Sequence, residues 1–228
     1  MIKAIVFDFD GLILETERPQ YEAWRDVFLS FERELPEQAW LEVMGKPVKI
    51  DLFPRRLAAE LQRDLDIDAL IAQYRQIVAK RLASQPIQPG VEALIREARS
   101  RKLRLAVASG STHRWVDGHL QRLGLFDQFA HTTCAEDTEK HKPDPDPYLH
   151  ACEALGVDPR DAMALEDSPL GITAAKAAGM YAVAVPTEMT GYQSFDHADL
   201  VLDSLEGVSL GELTEKLDGF NSGPAKTE

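Results

Sequence analysis

Short apolar runs alternate with helical stretches from residue 103 onward, and this alternation constrains the possible fold more than any other feature of the chain. Together with one run near the amino end, the candidate strands are residues 4–7, 103–108, 129–133, 162–165, 181–185 and 200–202. Strands that are separated by helices form βαβ units, whose strands are parallel and whose sheet is covered by helices on both faces. The sequence therefore predicts an α/β fold with a parallel sheet.

Residues that start and stop helices agree with this prediction. Asp146 and Ser168 each precede a proline, so each is expected to cap a helix whose first position is that proline. Gly124 and Gly156 lie where two helices should end, because glycine accepts the left-handed conformation that terminates many helices.

The segment 16–84 differs from the rest of the chain, because its apolar residues recur at helical spacing and it contains no convincing strand. It lies between the first strand and a helix expected to begin near Gly90. We therefore expect residues 1–15 and 85–218 to form the α/β core and residues 16–84 to form an inserted helical domain. The final residues, 219–228, are expected to be a disordered tail.

The charge balance limits the partners of the protein. Its 228 residues include 25 Lys and Arg against 38 Asp and Glu, for a formal net charge of −13, with no run of three basic residues. Such a polyanion would repel nucleic acid, and it would need a local device, such as a metal ion, to hold an anionic small molecule. No segment approaches the ~18 consecutive apolar residues of a membrane span, so we expect no membrane partner. The apolar run after Met1 ends at Asp8, too early for a signal peptide, and predicts a cytoplasmic protein.

Two carboxylates follow the first predicted strand, since Asp8 and Asp10 come directly after an apolar run and before Gly11. Side chains two residues apart in an extended chain share one side, so both should converge at the carboxyl edge of the sheet, where open α/β sheets bind ligands. Nearby carboxylates repel each other unless a divalent cation or a shared proton relieves the repulsion. An ordinary Asp-Gly turn is the alternative.

Two later segments offer partners for a phosphate. Ser109 and Gly110 follow a predicted strand and precede a helix, and hydroxyls and amides at a helix amino end suit an anion. Lys142 precedes Pro143, which stiffens the loop, so its ammonium can serve as a fixed point charge. Taken alone, each has an alternative: simple helix capping for the loop and a solvated surface position for the lysine.

Glu166 and Asp167 lie at the end of another predicted strand. Their oxygens, with those of Asp8 and Asp10, would make a Mg²⁺ site with room for water and substrate oxygens. Acids in the first turn of a helix are also common because they interact favourably with the helix dipole. Four segments of one βα fold thus each offer what a phosphate-and-magnesium site needs, and together they predict such a site.

The chain resembles the haloacid dehalogenase-like hydrolase superfamily, and most closely its β-phosphoglucomutase-like phosphatase branch, which has a helical C1-type cap after the first motif. The resemblance covers nearly the whole chain and implies a Rossmann-like parallel sheet core with an inserted all-helical cap domain. The four motifs that carry it, in the family's order and spacing, are Asp8-Phe9-Asp10-Gly11, Ser109, Lys142-Pro143, and Glu166-Asp167 with the stretch 171–180.

The resemblance also implies roles for the motif residues. Asp8 would be the nucleophile that becomes an aspartyl phosphate, and Asp10 the general acid that later acts as the base. Ser109, Gly110 and Lys142 would hold the phosphoryl oxygens. The implied partners of Mg²⁺ are Asp8, the main-chain carbonyl of Asp10, Asp167 and the adjacent Glu166.

In this branch the cap selects the substrate, and three cap residues are candidates for that task. Gln20 stands where the mutase has a cap histidine, and a glutamine amide cannot take up or release a proton near neutral pH. Lys46 and Lys49 could bind an anionic substrate tail, or one of them could form the imine of a phosphonatase.

We therefore predict a monomeric, Mg²⁺-dependent phosphatase that hydrolyses a small phosphorylated metabolite such as a sugar phosphate. A mutase of the β-phosphoglucomutase type and a non-catalytic module that binds a phosphate ligand are the alternatives. Haloacid dehalogenase activity is disfavoured, because dehalogenases of this fold lack the second aspartate of the first motif, whereas Asp10 is present here.

Overall fold

The computed structural model describes residues 2–44 and 49–221 of the chain. The chain divides into two compact units, one formed by Met1–Leu14 with Pro86–Glu228 and the other by Glu15–Gln85. The strands and α-helices, in chain order, are β1 (Ala4–Phe7), α1 (Glu17–Leu29), α2 (Glu37–Leu41), α3 (Leu52–Leu61), α4 (Ile67–Ala83), α5 (Val91–Ser100), β2 (Arg104–Ala108), α6 (His113–Leu123), β3 (His131–Thr133), α7 (Asp146–Leu155), β4 (Ala162–Glu166), α8 (Pro169–Ala177), β5 (Tyr181–Ala184), β6 (Leu200–Val201) and α9 (Leu210–Asn221).

The larger unit is built on a six-stranded parallel sheet with the strand order β3-β2-β1-β4-β5-β6. β1 lies inside the sheet, and Phe7 at its end pairs with Val107 of β2 and Leu165 of β4. Because these strands are parallel and in register, the segments that follow them leave the sheet at one edge. This arrangement confirms the predicted Rossmann-like α/β fold.

One layer of the core combines alanines of the sheet with residues of α7 and α8. Alternate residues of a strand point to the same face, and on this face β2, β4 and β5 each contribute two alanines. Such small side chains let the helices lie close to the sheet, and Tyr148 of α7, the largest fully buried side chain, fills part of the layer. The packing of α7 therefore carries a tyrosine to the region below the carboxyl edge.

The helix ends agree with the sequence except at one position. Ser168 caps α8, where its hydroxyl accepts a hydrogen bond from a backbone N–H of the first turn at 3.1 Å. Gly124 and Gly156 end α6 and α7 in the left-handed conformation, as predicted. Asp146 was expected to cap α7, and this prediction is wrong, because the carbonyl of Pro145 accepts the first bonds and Asp146 is already helical.

The smaller unit contains α1–α4 and, among its described residues, no strand. Its core contains a cluster of aromatic rings. Trp24 of α1 stacks on Tyr74 of α4 with ring centroids 4.2 Å apart, and Phe53 of α3 packs against Trp24 at 5.9 Å and Trp40 at 5.6 Å. Rings of this size bury a large apolar area per residue, so a short helical unit can form a core of its own.

The carboxyl-terminal helix is longer than the sequence suggested. The expected tail begins at residue 219, whereas α9 continues through Asn221, and residues 222–228 lie outside the described part of the chain. Leu210, Leu213 and Leu217 are buried at the spacing of one helix face, and this amphipathic packing sustains the helix beyond the predicted boundary. None of the described helices combines the length and the apolar character that crossing a membrane requires.

Candidate active site

The ends of three neighbouring strands bring the predicted site residues together. Asp8 extends β1 by one residue, since its backbone N–H donates to the carbonyl of Leu165 at 2.9 Å. Ser109 extends β2 in the same way by donating to the carbonyl of Thr133 at 2.9 Å. Glu166 is the last residue of β4. The sheet hydrogen bonds thus set the backbone position of each side chain at the carboxyl edge.

Lys142 lies inside this edge and not on the surface. Its ammonium group donates to Asp8 Oδ1 at 2.6 Å, to Glu166 Oε1 at 2.5 Å and to the carbonyl of Ala108 at 2.9 Å, and its side chain is only 10% exposed. An ammonium has three protons, and here all three have an acceptor. The alternative of a solvated surface lysine is therefore excluded by the structure.

Glu166 is completely buried and accepts four hydrogen bonds. Its Oε1 accepts from Lys142 and from the Tyr148 hydroxyl at 2.8 Å, and its Oε2 accepts from the backbone N–H and hydroxyl of Ser168 at 3.1 and 2.9 Å. The carboxylate lies directly against Gly171 of α8, where a Cβ would approach Oε1 to 1.7 Å. With its acceptor sites occupied in this way, Glu166 is better placed to orient Lys142 than to bind a metal ion directly.

Asp8, Glu166 and Asp167 form a buried acidic cluster, in which one oxygen of each lies within 4.8 Å of the others. Asp167 packs against the backbone of Gly11. Only glycine fits at this position, because its φ is +87° and because a Cβ added there would lie 2.2 Å from Asp167 Oδ2. Three carboxylates against the one ammonium of Lys142 leave an excess of negative charge. Hard carboxylate oxygens with excess charge suit a divalent cation such as Mg²⁺.

The electrostatics of Asp8 and Lys142 reflect this crowding. Burial raises the pKa of Asp8 to about 8, and although Lys142 lowers it, the carboxylates of Glu166 and Asp10 raise it further. Burial works to lower the pKa of Lys142, but the carboxylates of Asp8 and Glu166 outweigh it and raise the pKa well above its usual value. Lys142 is therefore a permanent cation, and Asp8 needs additional positive charge to stay ionised at neutral pH.

Asp10 has different partners from Asp8. The hydroxyl of Ser111 donates to Asp10 Oδ2 at 2.6 Å, and the indole Nε1–H of Trp115 donates to Asp10 Oδ1 at 2.9 Å. Ser109 makes a longer contact with Oδ2 at 3.4 Å, and its hydroxyl also accepts from the backbone N–H of Ser111 at 3.0 Å. Asp10 is thus held by neutral donors from the loop after β2 and from the first turn of α6.

Three residues around the site were not predicted from the sequence, namely Ser111, Trp115 and Tyr148. Ser111 carried a weak signal, because it belongs to the same small-residue loop as the predicted Ser109. Trp115 and Tyr148 carried none, since an aromatic residue in an amphipathic helix is expected to serve the core. Gly110 is exposed and has open space where a Cβ would lie, so packing does not explain the glycine.

The cap candidates lie in the smaller unit. Gln20 accepts a hydrogen bond at Oε1 from the hydroxyl of Tyr74 at 3.0 Å, so the orientation of its amide group is fixed within that unit. Lys49 is exposed, and Lys46 lies outside the described residues.

Residues 2–179 match the family model described as haloacid dehalogenase-like hydrolase. The chain belongs to this family. The matched region contains the predicted motifs from Asp8 to the Glu166-Asp167 pair, and the stretch that follows this pair as far as Gly179. Membership confirms the resemblance on which the site prediction rested.

Two relatives with phosphatase names are similar to this hydrolase over most of its length. The "Putative phosphatase YhcW" of Bacillus subtilis (strain 168) is 40% identical over 221 residues, which cover 97% of this chain and 100% of that protein. The fructose-1-phosphate phosphatase YqaB of Escherichia coli (strain K12) is 32% identical over 185 residues, covering 79% of this chain and 95% of that protein. These relatives support the prediction of a phosphoric monoester hydrolase.

A solved structure shows the same fold. The β-phosphoglucomutase (pgmB) of Clostridium difficile has a TM-score of 0.75 at 23% identity, and the match covers 97% of this hydrolase and 99% of the mutase. At this identity the similarity extends to the fold alone. It agrees with a haloacid dehalogenase-like core that carries a helical insert.

Proposed function

We propose that this hydrolase is a Mg²⁺-dependent phosphatase that acts on small phosphomonoesters, with sugar phosphates as the expected substrate class. The observation that carries the proposal is the buried ammonium of Lys142, held between Asp8 and Glu166 at the carboxyl edge of the sheet. Such a cation beside a carboxylate is suited to a group that carries negative charge on several oxygens. The phosphatase names of the relatives support the same class of substrate.

In the proposed reaction, an oxygen of Asp8 forms a bond to phosphorus as the bond between phosphorus and the leaving oxygen breaks. Asp10 gives its proton to that leaving oxygen, so the product departs as an alcohol. Asp10, now ionised, then takes a proton from water as the water oxygen attacks phosphorus. The bond between Asp8 and phosphorus breaks, which releases inorganic phosphate and restores both carboxyl groups.

The other site residues hold the phosphoryl group during both steps. Lys142 would hold the phosphoryl oxygens by its fixed positive charge, and Ser109 and Gly110 would donate from the loop after β2. Mg²⁺, when bound by Asp8, Asp167 and the carbonyl of Asp10, would supply positive charge against the phosphoryl oxygens. Glu166 would fix Lys142, because its bonds to Tyr148 and Ser168 leave it little freedom to move.

A mutase would follow the same first step but would pass the phosphoryl group from Asp8 to a second sugar hydroxyl. We expect the phosphoryl group to pass to water and not to a sugar hydroxyl in this protein, because Gln20 cannot exchange a proton as the mutase histidine does. The amide oxygen of Gln20 already accepts a hydrogen bond from the hydroxyl of Tyr74. Lys46 and Lys49 stay candidates for the contact with an anionic substrate tail. A monomeric state and a cytoplasmic location stay predictions from the sequence.

The experiment is a panel of phosphomonoesters assayed for phosphate release with Mg²⁺ and with a chelator, using wild type and Asp8→Asn. The variant should lose at least about 1000-fold in kcat, because an amide is not a nucleophile and binds a cation poorly. Asp127→Asn is the matched control, since this aspartate is exposed on the same unit. Activity of Asp8→Asn within tenfold of wild type would contradict the nucleophile assignment.

The same panel separates phosphatase from mutase. With β-glucose 1-phosphate and a bisphosphate primer, we expect inorganic phosphate and no glucose 6-phosphate. Formation of glucose 6-phosphate faster than phosphate release would favour the mutase. Specific binding of phosphate esters without turnover of any of them would favour the non-catalytic module.

A further inference from the structure

We propose that Trp115 is a positioning residue for Asp10, and that α6 fixes the orientation of the proposed general acid through this indole. The inference rests on the acid–base role assigned to Asp10 under the proposed function. It concerns a residue that lies outside the four sequence motifs.

Two donors fix the rotation of the Asp10 carboxylate. Trp115 Nε1 donates to Oδ1 at 2.9 Å, and Ser111 Oγ donates to Oδ2 at 2.6 Å, so each oxygen has its own partner. An indole N–H can only donate, whereas a hydroxyl can donate or accept as its proton rotates. Asp10 Oδ1 must therefore accept the bond from Trp115, whereas the hydroxyl of Ser111 can either donate to Oδ2 or accept from it.

The indole is itself held by packing. Trp115 meets the ring of His119 edge-on with centroids 4.7 Å apart, and His119 stacks on Phe9 at 6.1 Å. Trp115 and His119 are four residues apart on α6 and so lie on one face of the helix. Phe9, between the two aspartates in the chain, is fully buried. One face of α6 thus contacts the loop of the first motif at two points, a ring stack at Phe9 and a hydrogen bond at Asp10.

This arrangement has a kinetic consequence. A general acid must direct its proton at the leaving oxygen, and a carboxyl group that has lost the donor to one of its oxygens can rotate away from that direction. The loss should matter when the leaving group is an alkoxide, which needs the proton. It should matter little for a nitrophenolate, which is stable as an anion. A change in leaving-group dependence is therefore expected, and a general loss of folding would not produce it.

The experiment compares Trp115→Phe with wild type on two substrates, an alkyl phosphate such as a sugar phosphate and p-nitrophenyl phosphate. The measured quantity is kcat/KM, because it covers only the steps up to transfer of the phosphoryl group to Asp8. We expect a loss of about 10- to 100-fold with the alkyl ester and less than about threefold with the nitrophenyl ester. Asp10→Asn should show the same pattern with a larger loss on the alkyl ester.

Trp40→Phe is the matched control. Its indole Nε1–H also donates to a carboxylate, Glu17 Oε2 at 3.2 Å, but it does so within the smaller unit. This variant loses the same kind of bond, and its ratio of the two kcat/KM values should equal that of wild type. Replacing Trp115 with β-(3-benzothienyl)alanine, which keeps the ring shape without the N–H, should reproduce the effect of Trp115→Phe.

A second readout does not depend on activity. The chain has three tryptophans, so the NMR spectrum of the ¹⁵N-labelled protein has three indole N–H signals at most. Trp115→Phe identifies one of them, and Asp10→Asn should shift that same signal more than the other two.

The inference is overturned if Trp115→Phe lowers kcat/KM equally on both esters, if it has no effect on either, or if Asp10→Asn leaves the Trp115 signal unmoved. It is also overturned if the benzothienyl variant behaves like wild type. The proposed function fails separately: if Asp10→Asn shows no preference for the nitrophenyl ester, Asp10 is not the acid, whatever Trp115 does.

Discussion

Asp8 and Asp10 are two residues apart in the chain, yet the protein surrounds them with different groups. A buried ammonium and two further acids surround Asp8, whereas Asp10 accepts hydrogen bonds from the hydroxyl of Ser111 and the indole of Trp115. The surroundings of Asp8 thus carry fixed charges, whereas the donors of these two bonds to Asp10 are neutral. Under the proposed function, this difference in surroundings separates the nucleophile, Asp8, from the general acid, Asp10.

The difference arises from the elements on either side of β1. Asp8 faces the end of β4 and the loop that carries Lys142, both of which bring ionised side chains. Asp10 faces the loop after β2 and the first turn of α6, which bring a hydroxyl and an indole. Because the two regions belong to different strands, a substitution in one should leave the other largely intact.

Among substitutions of the residues that surround the two aspartates, the largest effect is expected from Lys142→Met, on the Asp8 side. The variant removes the one ammonium of the cluster and leaves the buried carboxylates of Asp8 and Glu166 without their cation. We expect kcat to fall by at least about 100-fold and the free energy of unfolding to fall by about 3–5 kcal/mol. Unlike Trp115→Phe, it should lower kcat/KM to a similar degree for alkyl and nitrophenyl phosphates.

Lys140→Met is the control for this variant. Lys140 is 65% exposed and lies 3.6 Å from Asp144, so its loss should change stability by less than about 0.5 kcal/mol. Two results would contradict the contrast between the surroundings of Asp8 and Asp10. One is a Lys142→Met variant whose kcat/KM for the alkyl ester is unchanged, and the other is a shift of the Trp115 indole signal as large as that caused by Asp10→Asn.

A smaller effect is expected from Tyr148→Phe, which tests how Lys142 is oriented. The variant removes one hydrogen bond to the buried Glu166 while keeping the ring that fills the core layer. A lost bond to a charged acceptor should cost about 1.5–3 kcal/mol of unfolding free energy and reduce kcat by less than about tenfold.

Tyr192→Phe provides the matched change at a side chain that is 57% exposed and whose hydroxyl accepts a bond from Gln193. Chemical denaturation should detect no change above about 0.5 kcal/mol in this control. Equal destabilisation by the two variants would mean that the hydrogen bond from Tyr148 to Glu166 does not stabilise the fold more than an exposed hydroxyl does.

The smallest effect is expected at the start of α6, on the Asp10 side. His113 bonds to Asp117 Oδ2 at 3.0 Å and to Asp137 Oδ2 at 2.8 Å. Burial lowers its pKa, but these two carboxylates outweigh burial and raise the pKa above the ordinary value of 6.5. A raised pKa means that the folded state binds the proton more tightly, so the stabilisation is complete below 6.5 and disappears as pH rises through the raised pKa.

The variant His113→Gln tests whether the stabilisation from His113 decreases as the pH rises. The stability difference between wild type and the variant should be largest below about pH 6.5 and shrink as the pH rises through the raised pKa of His113. The imidazole is 37% exposed, so solvent screening should keep the difference below about 1 kcal/mol. Denaturation curves at several pH values check the prediction, and a difference that grows with pH would contradict it. The ratio of kcat/KM for the two esters should not change, since His113 does not contact Asp10.

Much of the fold was predictable because it depends on local signals. Apolar runs predicted all six strands, and only their ends moved: the run 129–133 is a strand over His131–Thr133 alone. Ser168 was correctly predicted as a cap, since capping needs only the residue and the turn that follows it. Asp146 was wrongly predicted as a cap. Whether Asp146 or Pro145 is the capping residue of α7 depends on how the preceding loop is folded.

The amino-acid sequence by itself determined which residues could carry chemistry: the paired aspartates, the serine loop, the lysine before a proline and the acids at a strand end. It could do so because each motif is local and the parallel sheet brings strand ends to one edge. Only the tertiary structure decided that Lys142 is buried against Asp8 and Glu166, and that Trp115 reaches Asp10. These contacts join residues between 24 and 134 positions apart, and no local pattern fixes the distance between such residues until the strands and helices have packed.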